Sequence, residues 1–190
     1  MGKIVILLAT YNGAEYLTEQ VESLFSQTYK DFVIIARDDN SNDDTLNILK
    51  SYNIKVLESD KNNGVKKNFS ILLEYALENT NGDYFMFCDQ DDIWKDFKIE
   101  KTLFKMKELE NKYISLPCLV HTDLTIIDSS KSIINNSFWN YENIVPSKNN
   151  FKNLLMQNTV TGCTVMINKK LAKLSLPIPS ESIMHDWWIG

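Results

Sequence analysis

Apolar positions in this chain follow two rhythms that alternate along its length. "KIVILLAT" is a continuous β-branched and leucine run, the pattern of a strand covered on both faces. "EYLTEQVESLFSQ" then turns helical, with Leu17, Val21, Leu24 and Phe25 predicted on one face. "DFVIIARDD" predicts a second strand, and "NSNDDTLNILKSY" a short helix opened by Ser41 and Asp44 in a capping arrangement. "IKVLES" predicts a third strand. A turn at "NNG" leads into a helix with Val65, Phe69, Leu72, Leu73 and Ala76 inward. "GDYFMFCD" predicts a fourth strand, and "DIWKDFKIEKTLFKMKELENK" a long helix with Ile99, Leu103 and Met106 inward. Further on, "CLVHTDLTIID" predicts a strand and "NFKNLLMQN" a short helix. "CTVMINKKLAKL" reads as a strand running into a turn or helix, and "LPIPSES" as a proline-rich loop.

Strand and helix alternate throughout the first half, which predicts an α/β sandwich with a mainly parallel sheet and right-handed crossovers. In such sheets ligands bind beyond the carboxyl ends of the strands. Three predicted strands end there in polar groups: Thr10-Tyr11-Asn12, Asp38-Asp39 and Asp89-Gln90-Asp91-Asp92. The topology brings these distant stretches to one crevice.

Bulk properties narrow what such a crevice serves. The chain has 190 residues, 44% hydrophobic and 24% charged, which suits one domain with a sizeable core. A net charge of -5 and pI near 5.1 argue against a general nucleic-acid binder, which needs a basic face. Lysines and glutamates alternate from Lys98 to Lys112, as on a solvated helix face. Cys88, Cys118 and Cys163 are too few and too widely spaced for a zinc motif or a disulfide framework. Cys88 and Cys163 fall in apolar runs and read as buried free thiols, which fits a reducing cytoplasm. The run Ile4 to Ala9 is far too short for a signal sequence or a membrane span.

There is no Gly-x-Gly-x-x-Gly and no Walker loop. "CDQDDIW" is more specific, because it crowds like charges at the end of an apolar strand. Hard carboxylate oxygens suit Mg²⁺ or Mn²⁺, which take one or two carboxylates plus substrate phosphates. Two aspartates separated by one residue on extended backbone face the same side. The plainer alternative is a solvated acidic turn that caps the helix from Ile93.

The ordered set "LLATYNGAEYL", "VESLFSQTYKDFVIIARDDNSNDDT", "NNGVKKN", "GDYFMFCDQDDIW", "TGCTVMINKKL" and "HDWW" resembles a family 2 glycosyltransferase. The resemblance runs over nearly the whole chain. It implies the GT-A fold: a single nucleotide-sugar-binding α/β domain that transfers a sugar from a nucleotide diphosphate donor with inversion, using a divalent metal. Position by position, it implies that Ala9 and Tyr11 lie along the base and ribose, and that Asp39 accepts from a pyrimidine N3–H. Gly64, Lys67 and Asn68 approach the nucleotide and its phosphates. Asp91 is the implied metal ligand, with Asp89 at the ribose or a metal-bound water, and Asp186 is the implied general base. Asp123, Trp187 and Trp188 border the sugar or acceptor. Packing is the alternative role for the tryptophans and a helix N-cap for Asp186. His185 and His121 read as packing or core residues.

The "CDQDDIW" and "HDWW" pair resembles the bacterial rhamnosyltransferase-like branch that builds surface polysaccharides. The implied donor is dTDP-rhamnose or a UDP-hexose, and the acceptor a saccharide or lipid-linked saccharide. The implied location is the cytoplasm, at the inner face of the membrane, with peripheral contact in a longer protein. Relatives usually continue beyond the position of Gly190, so a single GT-A domain over 1–190, truncated on the acceptor side, is expected. Residues 180–190 are then expected to be mobile or held by another molecule. Two rivals stand beside this reading: a sugar-phosphate nucleotidyltransferase, although "TYNGAEY" lacks the basic loop that class needs, and a non-catalytic nucleotide-sugar-binding module.

Overall fold

A computed structural model describes residues 2–147 and 158–190. Six strands form the main sheet. In chain order they are β1 (Ile4–Thr10), β2 (Phe32–Asp38), β3 (Lys55–Glu58), β4 (Tyr84–Cys88), β5 (Leu119–Val120) and β8 (Met166–Asn168). Across the sheet the order is β3-β2-β1-β4-β8-β5. The first four are mutually parallel, and β8 runs antiparallel to both β4 and β5. A separate hairpin pairs β6 (Ile126–Ile127) with β7 (Ile133–Asn135).

The alternation along β1 divides the core in two. Ile4, Ile6 and Leu8 point to one face, where Leu17, Val21 and Leu24 of α1 (Ala14–Phe25) and Ile99, Leu103 and Met106 of α4 (Lys98–Lys112) cover them. Val5, Leu7 and Ala9 point to the other, against Phe69, Leu72, Leu73 and Ala76 of α3 (Val65–Asn79). Every residue of β1 and β4 is buried. Each large apolar side chain so buried contributes about 1.5–3 kcal/mol. That is enough to hold the end of β4 in place although three carboxylates follow it.

Several expectations are corrected at element ends. Phe25 is 44% exposed and stacks on Tyr52 at the rim, while its neighbour Leu24 takes the buried position against the sheet. Val65 is 43% exposed, since the first turn of α3 rises beyond the strand ends. Ser41 and Asp44 form no cap on α2 (Thr45–Ser51). The Thr45 N–H is held instead by Asp43, whose other oxygen accepts from Ala14 N at the start of α1. Helix α4 starts at Lys98 rather than near Ile93, because Trp94 drops into the core and donates its backbone N–H to Ser23 Oγ. "CLVHTDLTIID" breaks into β5 and β6. Asp123 turns the chain between them by accepting from the N–H groups of Leu124 and Trp139.

The helix predicted in "NFKNLLMQN" lies outside the described residues, except for Asn158. A short 3₁₀ turn (Gly162–Thr164) precedes β8, and α6 (Lys169–Leu174) follows it directly. The remaining helices among the described residues are α5 (Phe138–Tyr141) and α7 (His185–Ile189). Among the described residues, no helix is long and apolar enough to cross a membrane.

Candidate active site

The carboxyl ends of β1, β2 and β4 meet at a cavity of about 360 Å³. Ala9, Tyr11, Asp39, Gly64, Asn68, Asp89 and Asp91 all line it, as do Gln90 and Val65. Lys67, Asp123, Trp187 and Trp188 do not. The Lys67 side chain is exposed at the start of α3. Its neighbour Lys66 points elsewhere, donating to the carbonyls of Ser180 and Ser182.

Asp39 closes one side of the cavity and is 1% exposed. One of its oxygens accepts from Arg37 Nη1 at 2.8 Å and from Asn63 Nδ2 at 3.1 Å. The other accepts from the backbone N–H groups of Asn63 and Gly64, at 2.7 and 2.8 Å. Burial opposes ionisation, but these donors outweigh it and hold the carboxyl below its ordinary range. A base N–H reaches Asp39 only by replacing one of them, and the Asn63 amide makes the longest bond. Gly64 sits at φ 83, a left-handed conformation that glycine adopts without strain, and this turns its N–H onto Asp39. Asn68 is tied to the same network, accepting from Arg37 Nη1 and donating to the Arg37 carbonyl. Asp38 serves the fold instead: it binds the N–H and hydroxyl of Ser41 and the hydroxyl of Thr10.

On the opposite side, Asp89 is pushed up to about 7, first by burial and then by the charges of Asp92, Asp91 and Asp186. Ligating atoms of Asp89, Asp92 and Cys163 lie within 4.8 Å of one another, and Asp92 Oδ2 is buried without a partner. Burial also raises the Cys163 thiol well above its ordinary value, so it offers no thiolate. The available donors are therefore hard carboxylate oxygens whose mutual repulsion Lys98 relieves only in part, a set that fits Mg²⁺ or Mn²⁺. Exposed Asp91 opens onto the cavity from the same turn.

Lys98 was expected on a solvated helix face. It reaches back under the acids instead, donating to the Cys163 carbonyl at 2.9 Å and lying 4.2 Å over the Trp94 ring. Its charge favours ionisation of both Asp89 and Asp92.

Asp186 sits in the first turn of α7, and its Oδ2 accepts from Gly162 N at 3.1 Å. Burial raises its pKa. The N-cap of α7 is Met184, so Asp186 does not serve that role. His185 wedges the helix in place: its ring packs on Phe69 and Phe87, with centroids 4.3 and 5.2 Å away. Neither ring nitrogen has a partner, and burial lowers the imidazole to about 4, so it is neutral at pH 7. His121 is likewise unsatisfied at Nδ1, rather than the satisfied core histidine expected. Trp187 and Trp188 are exposed, with the Trp188 indole N–H held by the Ser175 carbonyl. Ile189 is buried. Residues 180–190 make contacts with their own chain, through Lys66 to the Ser180 and Ser182 carbonyls, Gly162 to Asp186 and Trp188 to Ser175.

Sequence reasoning missed Arg37, Asn63 and Lys98; it brought Gln90 and Asp92 to the crevice without assigning either a role. Only Arg37 carried a signal, as a lone charge inside an apolar strand.

The glycosyl transferase family 2 model matches residues 5–175. An uncharacterized glycosyltransferase of Rickettsia typhi is 35% identical over 115 residues, covering 60% of this chain and 35% of the relative. The dTDP-rhamnosyl transferase RfbG of Shigella flexneri is 39% identical over 103 residues, covering 50% and 35%. The chain thus spans about a third of the length of these relatives. Among solved structures, S. aureus TarS 1-349 in complex with UDP-GlcNAc is 25% identical with a TM-score of 0.54, covering 67% of this chain and 36% of that one. The mannosyltransferase PcManGT from Pyrobaculum calidifontis, solved with GDP-Man and Mn²⁺, shares the fold at a TM-score of 0.64 and 15% identity, covering 98% and 50%. The sheet order, the helices on both faces and these neighbours define a GT-A fold. The chain belongs to glycosyl transferase family 2.

Proposed function

We propose that this domain is a metal-dependent, inverting glycosyltransferase acting on a nucleotide diphosphate sugar, with dTDP-rhamnose or a UDP-hexose as donor. The acceptor is a saccharide or lipid-linked saccharide hydroxyl in bacterial surface polysaccharide synthesis, met at the inner face of the membrane. The observation that carries this is the single cavity lined by Ala9, Tyr11, Asp39, Gly64, Asn68, Asp89 and Asp91, with the Asp186 charge close enough to act on Asp89. Its relatives add weight: RfbG is named for dTDP-rhamnosyl transfer and TarS was solved with UDP-GlcNAc.

In this reading Tyr11 and Ala9 flank the base and ribose. Asp39 fixes base choice, through an N3–H that takes the place of the Asn63 amide. Gly64 and Asn68 leave room for the ribose and diphosphate, and Lys67 adds positive charge from the rim. Asp91 and Asp89 would hold Mn²⁺ or Mg²⁺, with Asp92 in support. When bound, the cation supplies positive charge to a departing diphosphate.

Asp186 accepts the proton of the acceptor hydroxyl as that oxygen attacks the anomeric carbon. The bond to the diphosphate breaks on the opposite face, so one displacement inverts the centre. The raised pKa of Asp186 makes it a stronger base than an ordinary aspartate. Trp187, Trp188 and Asp123 stand on the acceptor side.

A hydrolysis and transfer assay with UDP- and dTDP-sugars, with and without Mn²⁺, tests this directly. Mn²⁺-dependent release of nucleoside diphosphate is expected. Pyrophosphate formation from a nucleoside triphosphate and a sugar phosphate would support the nucleotidyltransferase instead. Nucleotide-sugar binding with no release under any condition would leave a binding module.

A further inference from the structure

Gln90 stands between the two acids of the expected metal turn, yet its side chain faces away from them. Its Oε1 accepts from Tyr11 N at 2.8 Å, and its Nε2 donates to the Tyr11 carbonyl at 3.0 Å. The carboxamide thus behaves as a peptide group added to the sheet. Backbone pairing between β1 and β4 ends at Leu8–Cys88, after which the two strands part. The Gln90 amide bridges that gap and ties the end of β1 to the end of β4.

The chain is shaped to admit it. A Cβ on Gly13 would lie 2.2 Å from Gln90 Oε1 and 2.3 Å from its Cδ. Gly13 is buried, and its N–H is held by Thr45 Oγ1 at 2.8 Å, so it has little room to retreat. Tyr11, Gln90, Asp89 and Asp91 all line the same cavity.

We propose that Gln90 is a positioning residue that links the Tyr11 wall to the Asp89–Asp91 turn, so that a nucleoside diphosphate and a divalent cation bind cooperatively through it. The proposal rests on the glycosyltransferase reading of this cavity. A primary amide is needed because the bracket requires one acceptor and one donor; an ionised glutamate only accepts and would face the Tyr11 carbonyl with like charge. With the bracket in place, ordering one loop orders the other, and each ligand raises the affinity of its partner by the same factor. Without it, the share of the coupling carried between the loops is lost, and only the direct attraction of cation and diphosphate remains.

The test is calorimetric titration of UDP and dTDP, with and without saturating Mn²⁺, into the wild-type chain, Gln90→Ala, Gln90→Glu, Gly13→Ala and the Gly13→Ala/Gln90→Ala double variant. The same proteins are melted without ligand. The enhancement of nucleotide affinity by Mn²⁺ is expected to shrink about ten-fold in Gln90→Ala and Gln90→Glu, with a smaller change in metal-free affinity. A residue that only supported the fold would lower both affinities together. Gly13→Ala is expected to match Gln90→Ala, because its methyl group takes the space of the carboxamide. On the Gln90→Ala background that methyl group should cost little further, in binding or in melting temperature.

An unchanged Mn²⁺ enhancement in Gln90→Ala, or full additivity of the two substitutions, would overturn the proposal. A wild-type chain that binds neither nucleotide with Mn²⁺ would overturn the functional reading and the cooperativity with it. The melting cycle separates the cases, since it reads the Gln90–Gly13 contact without any ligand.

Discussion

Asp89 and Asp91 are two residues apart, and the fold treats them differently. Asp91 is exposed at the cavity mouth and free to turn toward a cation. If Asp91 is a ligand as proposed, Asp91→Asn removes that charge from an exposed position, so it is expected to abolish the Mn²⁺-dependent part of UDP or dTDP binding at an unchanged melting temperature. Calorimetry with and without Mn²⁺ checks this; a normal Mn²⁺ response in the variant would exclude Asp91 as a ligand.

Asp89 is held up at about 7, by burial first and neighbouring acids second. Its proton is bound more tightly in the folded chain than in the unfolded one. The associated stability is therefore present below the unfolded value and is lost as pH rises through about 7. Without metal, the melting temperature of the wild type relative to Asp89→Asn is expected to fall between about pH 5 and about pH 8. A cation needs the ionised form, so the stabilisation given by Mn²⁺ is expected to grow over the same interval. A pH series of melting curves, with and without Mn²⁺, reads both limbs. A flat difference in metal-free protein would mean that burial and the neighbouring acids do not raise Asp89 as the structure implies.

At the scale of elements, the short helix α7 decides where Asp186 stands. Five residues form no stable helix alone. This one is held by the His185 ring on Phe69 and Phe87, by buried Ile189 and by the bond from Gly162 N to Asp186. Asp186→Asn is expected to cut transfer by about 10²–10⁴-fold while leaving donor and metal affinity intact, because a general base acts mainly in the transition state. Steady-state transfer beside UDP calorimetry checks it; weakened donor binding would move Asp186 from the acceptor side to the diphosphate.

Gly162→Ala probes the same element indirectly. The new Cβ would lie 2.6 Å from His185 Nε2, and the ring has two phenylalanines behind it. Displacing α7 by about an ångström is expected to lower transfer by about a hundred-fold, with UDP affinity little changed. Full activity in this variant would show that α7 is not a rigid mount.

At the scale of the whole molecule, the cavity is built from loops that follow β1, β2, β3 and β4, separated in the chain by whole helices. A ligand seated there adds a further bridge between loops that are joined by hydrogen bonds such as Asn12 N–H to Ser41 Oγ, Asn42 N–H to Asn12 Oδ1 and the Gln90–Tyr11 pair. UDP with Mn²⁺ is expected to raise the melting temperature more than the sum of the two separate shifts. Saturation at about 100 times Kd corresponds to about 2.7 kcal/mol. Differential scanning fluorimetry with each ligand singly and together measures it; purely additive shifts would indicate independent sites.

The alternation of buried strands with amphipathic helices, the parallel sheet and the gathering of Tyr11, Asp39 and Asp89–Asp91 at one edge were all legible in the sequence. Each follows from local periodicity plus the handedness of crossovers, and neither needs side-chain detail. The ends of elements were not legible. The exposure of Phe25 and Val65 and the start of α4 depend on contacts with Tyr52, the cavity and Ser23, which only packing brings near. The supporting side chains were also beyond reach. Lys98 reads as one of many helix lysines until the fold lays the Cys163 carbonyl and the Trp94 ring beside it. Gln90 reads as a spacer between two acids until β1 and β4 diverge and leave the Tyr11 backbone unpaired. Periodicity reports which face of an element is buried; which polar group meets which is decided only when separate elements pack, because hydrogen bonds are directional and reach about 3 Å.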